Sequence, residues 1–214
     1  DEMARNVIGY YSFLSNRMVL FDMQAGGPRA GLGNVGARRP GAGPRDIEGF
    51  EEVNIATVIH EATHQLAYNC GFHRRFSDNP LWLAEGMAMF FEAPNRRAGE
   101  WKAIGEVNRP RLDLFRQEFL MGGRPTEIQK LLRDDELLRD KRTALVAYAE
   151  SWALTYYLMK TKSRQFFEYL KILGEKPHLL QDTPDQRLAD FRAAFGTDIE
   201  KLEEEFLRYM RTVR

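Results

Sequence analysis

The chain has 214 residues, of which 43% are hydrophobic and 29% charged, enough material for one large domain or two small lobes around a full core. Lysine plus arginine and aspartate plus glutamate number 31 each, which excludes a global basic field for nucleic acid or an anionic membrane. The lone Cys70 excludes an internal disulfide and a cysteine-built metal site, and no apolar run reaches the length of a membrane span. The abrupt opening on Asp1 is expected of a chain whose natural N-terminus has been removed. The missing signal segment therefore leaves location open, with an extracytoplasmic or secreted setting favoured.

Residues 7–22 read as two short strands. Tyr10, Tyr11 and Phe13 precede a polar Ser15-Asn16 turn, and Met18 to Phe21 follow it. From 25 to 44 the composition collapses to seven glycines and three prolines in twenty residues. That predicts a flexible Gly/Pro-rich loop, either a solvated insertion or a lid over a cleft. Inside it, Gly31-Leu32-Gly33-Asn34-Val35-Gly36 matches a dinucleotide-binding fingerprint. The Arg38-Arg39-Pro40-Gly41 that follows cannot open a helix to receive a pyrophosphate, so no nucleotide site is assigned.

A helix is predicted over 51–69. Ile55, Ile59, Ala62 and Leu66 recur at helical steps and form its expected core stripe, and Gly71 suits a left-handed cap. His60 and His64 stand four apart, one turn above each other on one face, with Glu61 beside them. This is an H-E-x-x-H pattern, able to offer two imidazoles to one metal ion and a carboxylate to a water. The plainer alternative is a pair of histidines that find separate partners. His73 falls in the following loop and is given no ligand role.

The next helix is predicted to start with Asn79 as cap and Pro80 at its first position, and to stop before Pro94. From Leu81 to Phe91 the only ionisable side chain is Glu85. A carboxylate on so apolar a helix needs a cation, because burial without one costs several kcal/mol or forces protonation. An arginine could serve; a metal held by the two histidines fits better. Beyond residue 94 the periodicity is helical nearly throughout, over about 111–121, 126–138, 141–160, 164–173, 184–195 and 198–212. On 141–160, Leu145, Tyr148, Trp152 and Tyr156 share one side. Thr197 or Asp198 is expected to cap the last helix, and His178 has no evident role.

His60-Glu61-x-x-His64 followed by Trp82-Leu83-Ala84-Glu85-Gly86-Met87-Ala88 resembles the gluzincin metallopeptidases of the peptidase MA-like group, and within them an uncharacterised bacterial zincin-like domain family. The resemblance implies an α+β, mainly helical, two-lobed fold. Its first lobe would cover 1–94, with edge strands and both ligand helices, and a helical lobe would cover 95–214. It implies Zn2+ on His60, His64 and Glu85, with Glu61 as general base and Tyr148 as a donor to the oxyanion. One of the two early strands, more naturally the second, would pair with substrate. The implied activity is hydrolysis of a peptide or protein substrate. No counterpart of the G-x-M-E-N signature that grips a free N-terminal amine is found, so an endopeptidase is favoured over an aminopeptidase. A non-catalytic peptide- or partner-binding module, and a zinc hydrolase of non-peptide substrates, remain the alternatives.

Overall fold

The computed structural model describes residues 9–20, 44–93, 95–97, 100–103 and 105–214, with side chains assigned outside 44–54 and 95–103. It is α+β and mainly helical. Strands β1 (Gly9–Ser12) and β2 (Arg17–Leu20) pair antiparallel, Tyr10 opposite Val19 and Tyr11 opposite Met18. Asn16 sits in the left-handed region at the turn, φ 56°, where asparagine is tolerated. Most of the 25–44 segment lies outside the described residues. Its last residue, Pro44, opens helix α1 (Pro44–Asn69), in the position where the missing amide hydrogen costs least. Gly71, at φ 81°, ends that helix in the left-handed turn expected of it.

The hairpin lies on α1: the Gln65 side-chain amide donates to the Asn16 carbonyl at 2.9 Å, and Tyr68 packs on the rings of Tyr11 and Phe13. The expected apolar stripe on α1 is only partly covered: Ile55, Ile59 and Ala62 are half-buried, like His60 and His64, and Leu66 is 60% exposed. The buried positions are Glu61 and Ala67. Leu145 departs in the same way, exposed on a helix whose other residues are mostly buried.

Helix α2 (Leu81–Phe91) begins one residue later than expected, and Asn79 does not cap it. The Asn79 side chain instead ties the preceding loop, accepting from the Arg74 amide and donating to the Arg74 and Ser77 carbonyls. The Leu81 amide is accepted by Asp135, from far along the chain, at 3.1 Å. After α2 comes a hairpin that helical periodicity missed, β3 (Asn95–Arg97) with β4 (Glu100–Ala103).

The remainder is helical: α3 (Arg109–Phe115), running into a π-helical turn at Arg116–Met121, then α4 (Ile128–Arg133), α5 (Glu136–Arg139), α6 (Ala144–Thr161), α7 (Ser163–Gly174), α8 (Pro184–Phe195) and α9 (Ile199–Thr212). Asn108, Thr183 and Asp198 cap α3, α8 and α9 through their side chains. The core is built around α2 and α6, with Trp82, Leu83, Met89, Trp152, Ala153 and Leu154 all out of solvent. It draws on residues from both sides of residue 94, as one domain made of two lobes would.

Two buried ion clusters hold the periphery to this core. Arg187 on α8 donates to both carboxylate oxygens of Asp78 at 2.7 Å and to Asp135 at 2.7 Å. Lys176 pairs with Asp182 and Asp190. His178 has a role after all: its ring accepts from Arg74 and contacts the Arg75 carbonyl, pinning the loop before α2 to the segment before α8. No helix among the described residues is long and apolar enough to cross a membrane.

Candidate metal centre

Two adjacent helices supply the centre. One turn of α1 separates His60 and His64, whose rings lie edge to face with centroids 4.9 Å apart. Glu85 reaches them from α2. Its carboxylate lies 3.3 Å from His60 Nε2 and 3.6 Å from His64 Nε2. One donor atom from each of the three side chains falls within 4.8 Å of the others. Tetrahedral zinc with bonds of about 2.0–2.2 Å keeps its donors roughly 3.3–3.6 Å apart, so the residues fit such an ion. All three are half-buried.

Gly86 explains how Glu85 comes so close. A Cβ there would stand 2.8 Å from the Ser151 carbonyl and collide with the Thr155 hydroxyl. Glycine lets α2 lie directly on α6, and this sets the height of Glu85 against α1.

The sequence reading missed Glu92. It follows Glu85 by two turns of helix, so both point to the same side of α2. Its carboxylate meets His60 Nδ1 at 2.6 Å and accepts from the Asn108 side chain at 2.8 Å. Asn108 also donates to the Met89 carbonyl while its oxygen caps α3. Glu92 thus fixes the His60 ring and leaves Nε2 facing Glu85, the arrangement in which an outer carboxylate orients a metal-binding histidine. The two-turn spacing was the available signal. What it lacked was the crossing of α1 over α2.

The protonation states follow from these contacts. Burial disfavours the charged His60 ring, but the hydrogen bonds it donates to the Glu85 and Glu92 carboxylates overcome this and raise its pKa to about 10. His64, with burial opposed mainly by Glu85, is pushed down instead. For Glu85, burial raises the pKa, yet the His60 hydrogen bond and the charges of His64 and Arg111 bring it below the ordinary carboxylate value.

Glu61 is buried beside them, and burial lifts its pKa although His60 and a backbone hydrogen bond from Tyr11 pull the other way. The backbone contact to Glu61 comes from Tyr11 on β1. Tyr148 rises from the first turns of α6, half-buried. Burial and then the Glu85 charge push its phenol up to about 12, so the ring lies within the field of the metal-ligand group. His73 stays outside that group. It is fully buried, packs edge-on against Tyr68 at 5.3 Å, and is held neutral by burial with its pKa lowered to about 3.

A family model matches residues 54–179, a span that contains His60, Glu61, His64, Glu85, Glu92 and Tyr148. No curated protein and no solved structure is significantly similar to the chain. With more than half of its length matched, the chain belongs to DUF1570, a family of proteins of unknown function.

Proposed function

We propose that the chain is a zinc-dependent peptidase of gluzincin type, with His60, His64 and Glu85 holding the metal. The observation that carries the reading is the convergence of these three donors, at 3.3 and 3.6 Å along the carboxylate edges, with a buried carboxylate, Glu61, next in sequence to one of them. Zinc bound there would supply a Lewis acid that acidifies water and polarises a carbonyl.

The chain's own residues account for the rest. Glu61, with its raised proton affinity, is suited to take a proton from the attacking water and pass it to the leaving amine. Tyr148, kept protonated by burial, is a donor for a developing oxyanion. Glu92 holds His60 in place.

The test joins metal analysis to cleavage of a mixed peptide library by wild type and Glu61→Gln. About one zinc per chain is expected in both, with cleavage reduced by roughly 10²-fold or more in the variant. Failure of His60, His64 and Glu85 to bind a metal would overturn the reading. Zinc bound without peptide cleavage would leave the scaffold to a binding role or another hydrolysis.

A further inference from the structure

Arg111 stands out among the partly buried arginines. Arg187 is saturated by Asp78 and Asp135. Arg75 donates to the Asn16 and Asn69 side chains and to the Phe13 carbonyl. Arg116 binds the Val213 carbonyl, Arg74 donates to His178, and Arg133 has the Asp185 carboxylate. The Arg111 guanidinium makes no hydrogen bond or ion pair among the described residues. Only its backbone amide is engaged, by the Asn108 cap.

Its location is set by the same residue that holds Glu92. Asn108 begins α3, and Arg111 follows in the first turn, its Cζ 5.7 Å from the centroid of the Tyr148 ring. Asn108 links the Arg111 amide to Glu92, and Glu92 holds His60, so the first turn of α3 stands beside the metal-ligand group. The carboxylates nearby are committed elsewhere: Glu92 to His60 and Asn108, Glu85 to the two histidines, Glu61 to Tyr11. A half-buried cation in these surroundings, with its planar fork of donors unused, matches an incoming carboxylate in geometry and charge.

We infer that Arg111 anchors a carboxylate of the substrate next to the scissile bond, either the free C-terminal carboxylate or an acidic side chain. The inference rests on the metal reading above. It narrows the substrate to acidic or C-terminally exposed peptides, and it makes Arg111 a specificity-determining residue.

The experiment uses the full chain loaded with zinc and calorimetric titration with dicarboxylic monohydroxamates of about two to four methylenes, against the same compounds with the far carboxylate converted to an amide. The hydroxamate reports the metal and the tail reports the anchor. At the best tether length the carboxylate should bind about 10-fold or more tighter than the amide. Arg111→Gln, which keeps much of the stem over Tyr148, should reduce that ratio toward one, and Arg111→Lys should retain part of it.

Equal binding of acid and amide at every length, or a preference that survives Arg111→Gln, overturns the anchor alone. Binding of neither compound overturns the metal reading and the anchor with it. The source of the carboxylate is read from kcat/KM ratios of wild type on peptides with a free or amidated C-terminus, and with aspartate or asparagine near the cut. Collapse of the first ratio in Arg111→Gln identifies the C-terminus, and collapse of the second an acidic side chain. Neither ratio changing counts against the inference.

Discussion

Glu92 decides what His60 can offer. With Nδ1 bound to this carboxylate at 2.6 Å, the ring cannot turn, and Nε2 is the nitrogen left for a metal. Glu92→Ala should weaken zinc binding about 10–100-fold, measured by competition with a chelator, while the far-ultraviolet dichroism stays that of the wild type. A zinc affinity unchanged in Glu92→Ala would reduce the contact to packing. Tyr148 makes a different demand. Tyr148→Phe should lower kcat by about 10²-fold with KM and urea midpoint nearly unchanged, because the hydroxyl would act only as charge develops. A change confined to stability would assign the residue to the core. At this scale the sequence was most legible where spacing fixes proximity: the grouping of His60, His64 and Glu85 could be read from one helix and its neighbour. Glu92 was not, since its two-turn spacing from Glu85 does not show that α1 brings His60 against it, and neither was Arg111, whose position depends on where α3 begins at Asn108.

Helix α2 is the element on which both sides of the molecule meet. Its apolar residues face α6, its Glu85 faces α1, and Gly86 makes the two contacts compatible. Gly86→Ala should therefore cost about 1–3 kcal/mol in urea unfolding through overpacking. It should also weaken zinc binding, because the extra methyl pushes α2 off α6 and moves Glu85. Destabilisation with an undiminished zinc affinity would show that the helix tilts without shifting Glu85. The positions of α6 to α9 were legible from periodicity, as were Gly71 and, as one of two candidate caps, Asp198; α1 starts at Pro44 rather than at 51, and the stretch 126–138 holds two short helices rather than one. The faces of α1 and α6 were only partly so. Leu66 and Leu145 fit an apolar stripe but lie outside, since a helix that serves a polar site buries glutamate and half-buries histidine there. Asn79 was misread for a related reason: its side chain can satisfy a loop as readily as a helix start.

For the molecule as a whole, the clamp made by Asp78, Arg187 and Asp135 joins the loop before α2, the joint before α5 and helix α8. None of it was visible in the sequence, because neither carboxylate is near the arginine along the chain. Arg187→Ala leaves Asp78 and Asp135 inside without their cation, and about 3–5 kcal/mol of stability should be lost. Urea denaturation checks this; a loss below about 1 kcal/mol would mean that water reaches the carboxylates. The two assemblies also close over very different lengths of chain. His60, His64 and Glu85 all belong to the α1–α2 hairpin, whereas Asp78 in that same hairpin waits for a residue of α8. On a chain growing from its N-terminus the full ligand set is therefore synthesised long before Arg187 exists, and the shorter loop also closes at the smaller entropic cost. If the three residues hold zinc as proposed, a partly folded chain would capture it, and refolding with the metal present should show ligand capture ahead of the step that docks α8. Because such a species would already bind the ion, added zinc would raise the melting temperature by less than the native affinity alone implies.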